Sequence, residues 1–209
     1  MMVSALIERE LFAETFPIRH GVFVAIVGPS GAGKDTVIGY ARALFTDETR
    51  LEFVRRVITR PCDAASEDHD TLADAAFVEA EGDGAFAISW EAHGLRYGLP
   101  ADVDWSVANG RVAVANVSRA VIPVLRERYA NLAIVEITAS PDVLAERLAM
   151  RGRESRGEVL ARLARSANVT LSGPGVTSID NSGPREVAGE RFAELLRKAM
   201  AFSDMSGLI

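Results

Sequence analysis

Nine consecutive residues constrain this chain more than any others: Gly28-Pro29-Ser30-Gly31-Ala32-Gly33-Lys34-Asp35-Thr36. They follow directly on Val22-Phe23-Val24-Ala25-Ile26-Val27, an apolar, β-rich run with no polar face, which reads as a central parallel strand. A helical pattern continues from Lys34 to Leu44. Gly-x4-Gly-Lys between a strand and a helix is the P-loop spacing. Its glycines let the backbone curl so that successive N–H groups face phosphate oxygens, and the helix N-terminus adds its dipole. Lys34 then reaches the β- and γ-phosphates of a bound nucleotide. Lysine is otherwise almost absent: Lys198 is the only other one, against 21 arginines. The position after the lysine usually offers a hydroxyl to Mg²⁺, and here it is Asp35, with Thr36 behind it. A carboxylate there either faces the metal, directly or through water, or complements the helix dipole from the first turn.

Length and composition set the frame around that motif. At 209 residues the expectation is one domain, 1–209, with a core that needs no metal or disulfide staple. A 48% apolar and 25% charged content argues against disorder. The single cysteine, Cys62, excludes an intrachain disulfide framework and a cysteine-rich zinc site, and nothing around it suggests activation. The longest apolar run, Val22 to Val27, is six residues, against the roughly 20 that span a bilayer. The start, MMVSALIERELF, carries two glutamates and no cleavage pattern, so a cytoplasmic protein with no membrane partner is expected. A net charge of −6 argues against a general nucleic-acid binder.

Further strand patterns lie at Leu51–Ile58, Val112–Val117, Leu132–Thr138 and Val176–Ile179, and helices near Ala120–Tyr129 and over Arg185–Met200. Ser140-Pro141-Asp142 opens another helix, with an N-cap, a proline at the first helical position and an early acid. Strand and helix alternate five times. This predicts an α/β fold with a parallel central sheet and helices on both faces. Residues 59–100 break the alternation and read as an insert, with a short helix near Ala73–Glu81 and a hairpin turning at Ala92-His93-Gly94. His93 reads as an exposed turn residue rather than a substrate contact.

Arginines concentrate after the Ser140 helix: Arg147, Arg151, Arg153, Arg156, Arg162 and Arg165 are six within nineteen residues. In isolation this would read as a solvated helix face. Downstream of a P-loop it reads as a lid over 151–165, because phosphoryl transfer needs mobile positive charge that excludes water and binds phosphate bidentately.

The motifs GPSGAGKDT, ITRP at Ile58–Pro61, SWEAHGLRYG at Ser89–Gly98, VANVSR at Val114–Arg119 and RLAMRGRE…RLARS in Arg147–Ser166 resemble the ribose 1,5-bisphosphate phosphokinases of phosphonate degradation. These are guanylate kinase-like P-loop kinases, and the resemblance covers roughly residues 20–200. It implies a transferase that uses ATP and Mg²⁺ to convert ribose 1,5-bisphosphate into 5-phosphoribosyl 1-diphosphate (PRPP), releasing ADP. It implies catalytic roles for Lys34, Arg151 and Arg162, and an ATP site of Gly28–Thr36, Arg147, Arg151, Asp180 and Asn181. It implies a substrate site of Arg60, Tyr97, Asn116, Ser118, Arg119 and Arg162, with Asp35 as the metal ligand. A homodimer is compatible with all of this.

Two departures separate the chain from guanylate kinases proper. Thr59-Arg60-Pro61-Cys62-Asp63 stands in place of Thr-Arg-x-Pro-Arg, and Asn116 stands where they carry an aspartate. A guanylate or other nucleoside monophosphate kinase is the first alternative. A catalytically inactive nucleotide-binding or protein-interaction module is the second, and the complete P-loop lysine and arginine set argue against it.

Overall fold

The computed structural model describes residues 17–60, 69–150, 171 and 173–206. Strand β1 (Val22–Val27) is buried along its whole length, as a run without a polar face requires. Strands β7 (Val112–Asn116) and β8 (Leu132–Thr138) flank it, both parallel. Beyond them lie β2 (Leu51–Phe53) and β9 (Val176–Asp180), giving the all-parallel order β2-β7-β1-β8-β9.

Side chains alternate across a strand, so this sheet builds a core on each face. On one face Val24, Ile26, Val114 and Ile137 pack with Val37 and Ala41 of α1 (Lys34–Leu44) and with Phe192 and Leu196 of α6 (Arg185–Ser206). On the other, Phe23, Ala25, Ala115 and Ile134 pack with Val103 and Val107 of α3 (Asp102–Ala108) and with Leu125 of α4 (Ile122–Arg128). Tyr129 closes this second core. Its ring stacks on Phe23 at 4.5 Å between centroids, and its hydroxyl donates to Asp104 at 2.7 Å. Helix α5 (Pro141–Met150) begins as its sequence predicts: Ser140 Oγ accepts from the backbone N–H of Val143 at 3.4 Å.

A second sheet holds β3 (Arg56–Ile58), β4 (His69–Thr71), β5 (Phe86–Ala92) and β6 (Leu95–Pro100) in the order β4-β3-β6-β5. The β5–β6 hairpin turns at His93 (φ 54°) and Gly94 (φ 73°). Two positive φ values in succession give the turn whose twist matches paired strands. Helix α2 (Asp74–Gly82) covers one side of the sheet through Phe77, whose ring stacks on Phe86 at 4.5 Å.

Two expectations change and one helix is new. The pattern over 51–58 is two strands in two sheets. Val54 makes the last bond to β7, through Val114 O, and the chain then crosses to pair antiparallel with β6, so the inserted sheet begins at Arg56 rather than at residue 59. Helix α3 carries no sequence signal strong enough to find it: Ala101 caps it without a side-chain bond, and Trp105 on its outer side is exposed. Helix α6 runs past Met200 to Ser206, because Ser203 is buried and donates to Gly110 O at 2.5 Å. Cys62 and the arginines from Arg151 to Arg165 lie outside the described residues.

The Tyr97-Gly98 pair has a packing basis. A Cβ on Gly98 would sit 2.6–2.8 Å from the Phe86 ring, so only glycine lets that ring lie against β6. Gly98→Ala is therefore expected to destabilise the protein by about 1–3 kcal/mol, the usual cost of overpacking, read as a lowered midpoint in urea.

Candidate active site

The P-loop, Asn116 and its neighbours, and Asp180 with Asn181 meet at the carboxyl edge of the parallel sheet, where ligands sit in folds of this class. Register fixes the meeting: Asn116 lies beside Ile26, Glu136 beside Val27, and Asp180 beside Thr138. From β1 the backbone turns at Gly28 (φ 148°) and enters α1 through Gly33 (φ 84°). A Cβ on Gly28 would run into the carbonyl oxygen of Ile137, and one on Gly33 into the side-chain amide of Asn181.

Side chains grip the loop by its carbonyls. Lys34 Nζ folds back to donate to Gly28 O at 2.9 Å and Pro29 O at 3.1 Å. Arg147 is half-buried; its Nη1 donates to Gly31 O and Ala32 O, both at 3.4 Å, and its Nη2 to Asn181 O at 2.9 Å. Asn181 is buried and donates through Nδ2 to Ala32 O at 2.8 Å. Carbonyls held from outside suit a loop that curls its N–H groups toward phosphate. Asp180 is exposed and accepts from the N–H (3.1 Å) and hydroxyl (2.5 Å) of Ser182. Ser30, Asp35 and Thr36 are exposed along the loop, whereas Gly31 and Ala32 are buried beneath it.

Asn116 Nδ2 donates to Asp35 Oδ1 at 3.2 Å, tying the end of β7 to the first turn of α1. One exposed carboxylate at this point fits a hard cation that arrives with a nucleotide, since Mg²⁺ is usually held by one or two carboxylates plus phosphates. Among the described residues no cluster of three or more His, Cys, Asp or Glu side chains offers a metal site of its own. Ser118 Oγ accepts from Ala120 N at 3.3 Å and caps the 3₁₀ turn Arg119–Val121. Arg119 Nη2 donates to Glu136 Oε1 at 2.6 Å, and the second oxygen of Glu136 accepts from Ser178 Oγ at 3.3 Å. Glu136 is 2% exposed, and sequence reasoning missed it. Its signal was a lone acid in the otherwise apolar run Ala133-Ile134-Val135-Glu136-Ile137.

The inserted sheet presents a different surface. Tyr97 stacks on Trp90 at 5.3 Å with rings 8° apart, and the Arg56 guanidinium lies 5.8 Å from the centroid of the Tyr97 ring. Tyr97 pairs with Ile58 and Trp90, and Phe86–Phe77 stacking occupies the opposite face. Arg60 follows β3, with Nη2 3.2 Å from His69 Nε2. Sequence reasoning named Tyr97 and Arg60 but missed Arg56, Trp90 and His69. The alternation Arg56-x-Ile58-x-Arg60 was the available sign that two arginines follow one side of a strand.

A protein named ribose 1,5-bisphosphate phosphokinase PhnN from a Chelativorans species is 54% identical over 209 residues, all of both chains. The chain belongs to the ribose 1,5-bisphosphate phosphokinase family. The identically named protein of Brucella melitensis is 52% identical over 78% of this chain and 85% of its own, and that of Agrobacterium fabrum 47% over 86% and 98%. No protein-family model matches the chain. Among solved structures, guanylate kinase from Anaplasma phagocytophilum superposes with a TM-score of 0.61 over 86% of each chain at 17% identity, which establishes a shared fold. The Ser89–Gly98 and Val114–Arg119 stretches become, in three dimensions, the stacked hairpin and the Asn116–Asp35 and Arg119–Glu136 links.

Asn181→Ala removes the nearer of two donors to a buried carbonyl, Arg147 being the other, and leaves a small void; together these cost about 1–3 kcal/mol. At about 2–4 °C per kcal/mol for a chain of this size, Tm should fall by several degrees. Asp180→Ala, at an exposed turn, should leave Tm nearly unchanged.

Proposed function

We propose that this protein transfers the γ-phosphoryl group of Mg·ATP to ribose 1,5-bisphosphate, giving PRPP and ADP. The observation that carries the reading is 54% identity along the full length of a ribose 1,5-bisphosphate phosphokinase, in a chain whose P-loop lysine and glycines are intact. An oxygen of the acceptor's 1-phosphate attacks the γ-phosphorus. The bond from that phosphorus to the β–γ bridging oxygen breaks, and ADP leaves with the electron pair. A phosphate oxygen is already anionic near neutral pH, so the step needs no strong general base. The remaining work is positioning and charge neutralisation.

In this reading 1–209 is a single kinase domain acting in the cytoplasm. Lys34 leaves its loop carbonyls for the β- and γ-phosphates, while the N–H groups of Gly28–Thr36 hold the rest of the phosphate chain. Bound Mg²⁺ supplies charge neutralisation, with Asp35 as the residue that would hold it and Asn116 orienting that carboxylate. Arg147 and Asn181 act by keeping the loop in shape, with Asp180 beside the nucleotide. The inserted sheet takes the acceptor: Arg60 binds a phosphate, Tyr97 lines the sugar site, and Ser118 and Arg119 border it. Arg151 and Arg162 close over the transferring group from the 151–165 segment.

Lys34→Ala should lower kcat by several powers of ten, each worth about 1.4 kcal/mol of barrier, while the folded protein's melting curve stays close to wild type. Near-wild-type ADP release by a folded variant would overturn the donor-site assignment. Offered GMP and ribose 1,5-bisphosphate at equal Mg·ATP, the enzyme should show much the larger kcat/KM with the sugar. A purine site must pair the polar edges of a buried base, whereas Arg56, Trp90 and Tyr97 offer charge and ring faces. Preference for GMP would leave only a P-loop kinase of other specificity.

A further inference from the structure

His69 is 3% exposed and opens β4 at the position paired with Arg56 of β3. Its two ring nitrogens face partners that leave no choice of role. Arg60 Nη2, 3.2 Å from Nε2, can only donate, so Nε2 is an acceptor. The Asp70 carbonyl oxygen, 3.2 Å from Nδ1, can only accept, so Nδ1 carries the proton. The Thr71 hydroxyl, 3.5 Å from Nδ1, is compatible with the same tautomer. Arg55 reinforces the strand from outside, with Nη2 3.4 Å from His69 O and 2.9 Å from Asp70 Oδ1. His69 is thus a neutral imidazole locked in one tautomer, with its lone pair aimed at Arg60.

Arg60 carries a second sign of preparation. Its Nε is buried and makes no hydrogen bond among the described residues. Such a group costs free energy until an acceptor arrives, and a phosphate oxygen is the natural one. A long arginine side chain also loses rotamer freedom when it binds, and a rigid partner that holds it beforehand removes part of that loss. A carboxylate partner would hold it more firmly but would cancel the charge the phosphate needs. A neutral imidazole holds it and leaves the charge in place.

We propose that His69 is a positioning residue for the acceptor site: as a neutral, single-tautomer imidazole it holds the Arg60 guanidinium ready for a phosphate of the sugar substrate. The proposal rests on the reading of Arg60 as an acceptor contact, and the experiment separates the two. Steady-state constants for both substrates are measured in His69→Leu, His69→Gln, Arg60→Ala and the double variant Arg60→Ala/His69→Leu. His69→Leu should raise KM for ribose 1,5-bisphosphate about tenfold or more, the size of one hydrogen bond to a charged group, with KM for ATP unchanged. His69→Gln, whose amide oxygen accepts near the place of Nε2, should restore most of that loss. The double variant should be no worse than Arg60→Ala alone, because His69 acts through Arg60. If Arg60→Ala leaves the acceptor KM unchanged, the reading of Arg60 fails. If Arg60→Ala raises it while His69→Leu does not, or if Gln is no better than Leu, the proposal about His69 is wrong.

Discussion

The active edge of this protein depends on one backbone event, the turn at Gly28 where a strand buried on both faces leaves the sheet. β1 has no polar face, so it must lie in the middle, and its parallel neighbours bring their carboxyl ends to the same edge. The approach to Ile137 is too close there for any side chain. The curl that follows points carbonyls outward, and buried carbonyls need donors. Arg147 from α5 and Asn181 from the end of β9 supply them. The loop is therefore held by residues from two other elements of the fold.

What was legible in the sequence was what local chemistry dictates. The strand–glycine–lysine–helix sequence placed β1 and α1 to the residue, and the Ser140-Pro141 start placed α5. The hairpin at His93-Gly94 was legible because turn residues interrupt two strand-like runs. The break at Val54-Arg55 was not, because 51–58 keeps its strand character while changing sheets, and the change depends on β6, forty residues further on. Helix α3 was hidden for the opposite reason. It is short, lacks a side-chain cap, and takes its stability from Val103 and Val107 packed under the sheet.

Site residues divide in the same way. The loop could be named outright, since its function is written in consecutive residues. Arg147, Asn181 and Asn116 were found through resemblance and placed near phosphates or acceptor, and the structure adds the bonds they make to the loop and to Asp35. Arg56 and His69 were missed because their place is set by what faces them in the folded chain: Tyr97 for one and Arg60 for the other. A residue whose role is to hold another has no sequence motif of its own unless the two are close along the chain.

The charges at this edge follow a common logic. The site proposed here takes two polyanions, which calls for many cations, and without ligand those cations repel one another. Pairing each with a carboxylate would relieve the repulsion but spend the charge. Arg147 is instead held by three backbone carbonyls, and Arg60 lies against the His69 ring. Arg119 differs from these two in being bonded to a buried carboxylate, that of Glu136. A carboxylate on a central strand is costly unless paired, so Arg119 cannot move far from Glu136 without exposing that cost. The pair also keeps its net charge near zero. Arg119 is therefore fixed in place, and its buried Nε is unbonded among the described residues. In the proposed reading, long-range attraction of the phosphates falls to the cations that have no carboxylate partner among the described residues.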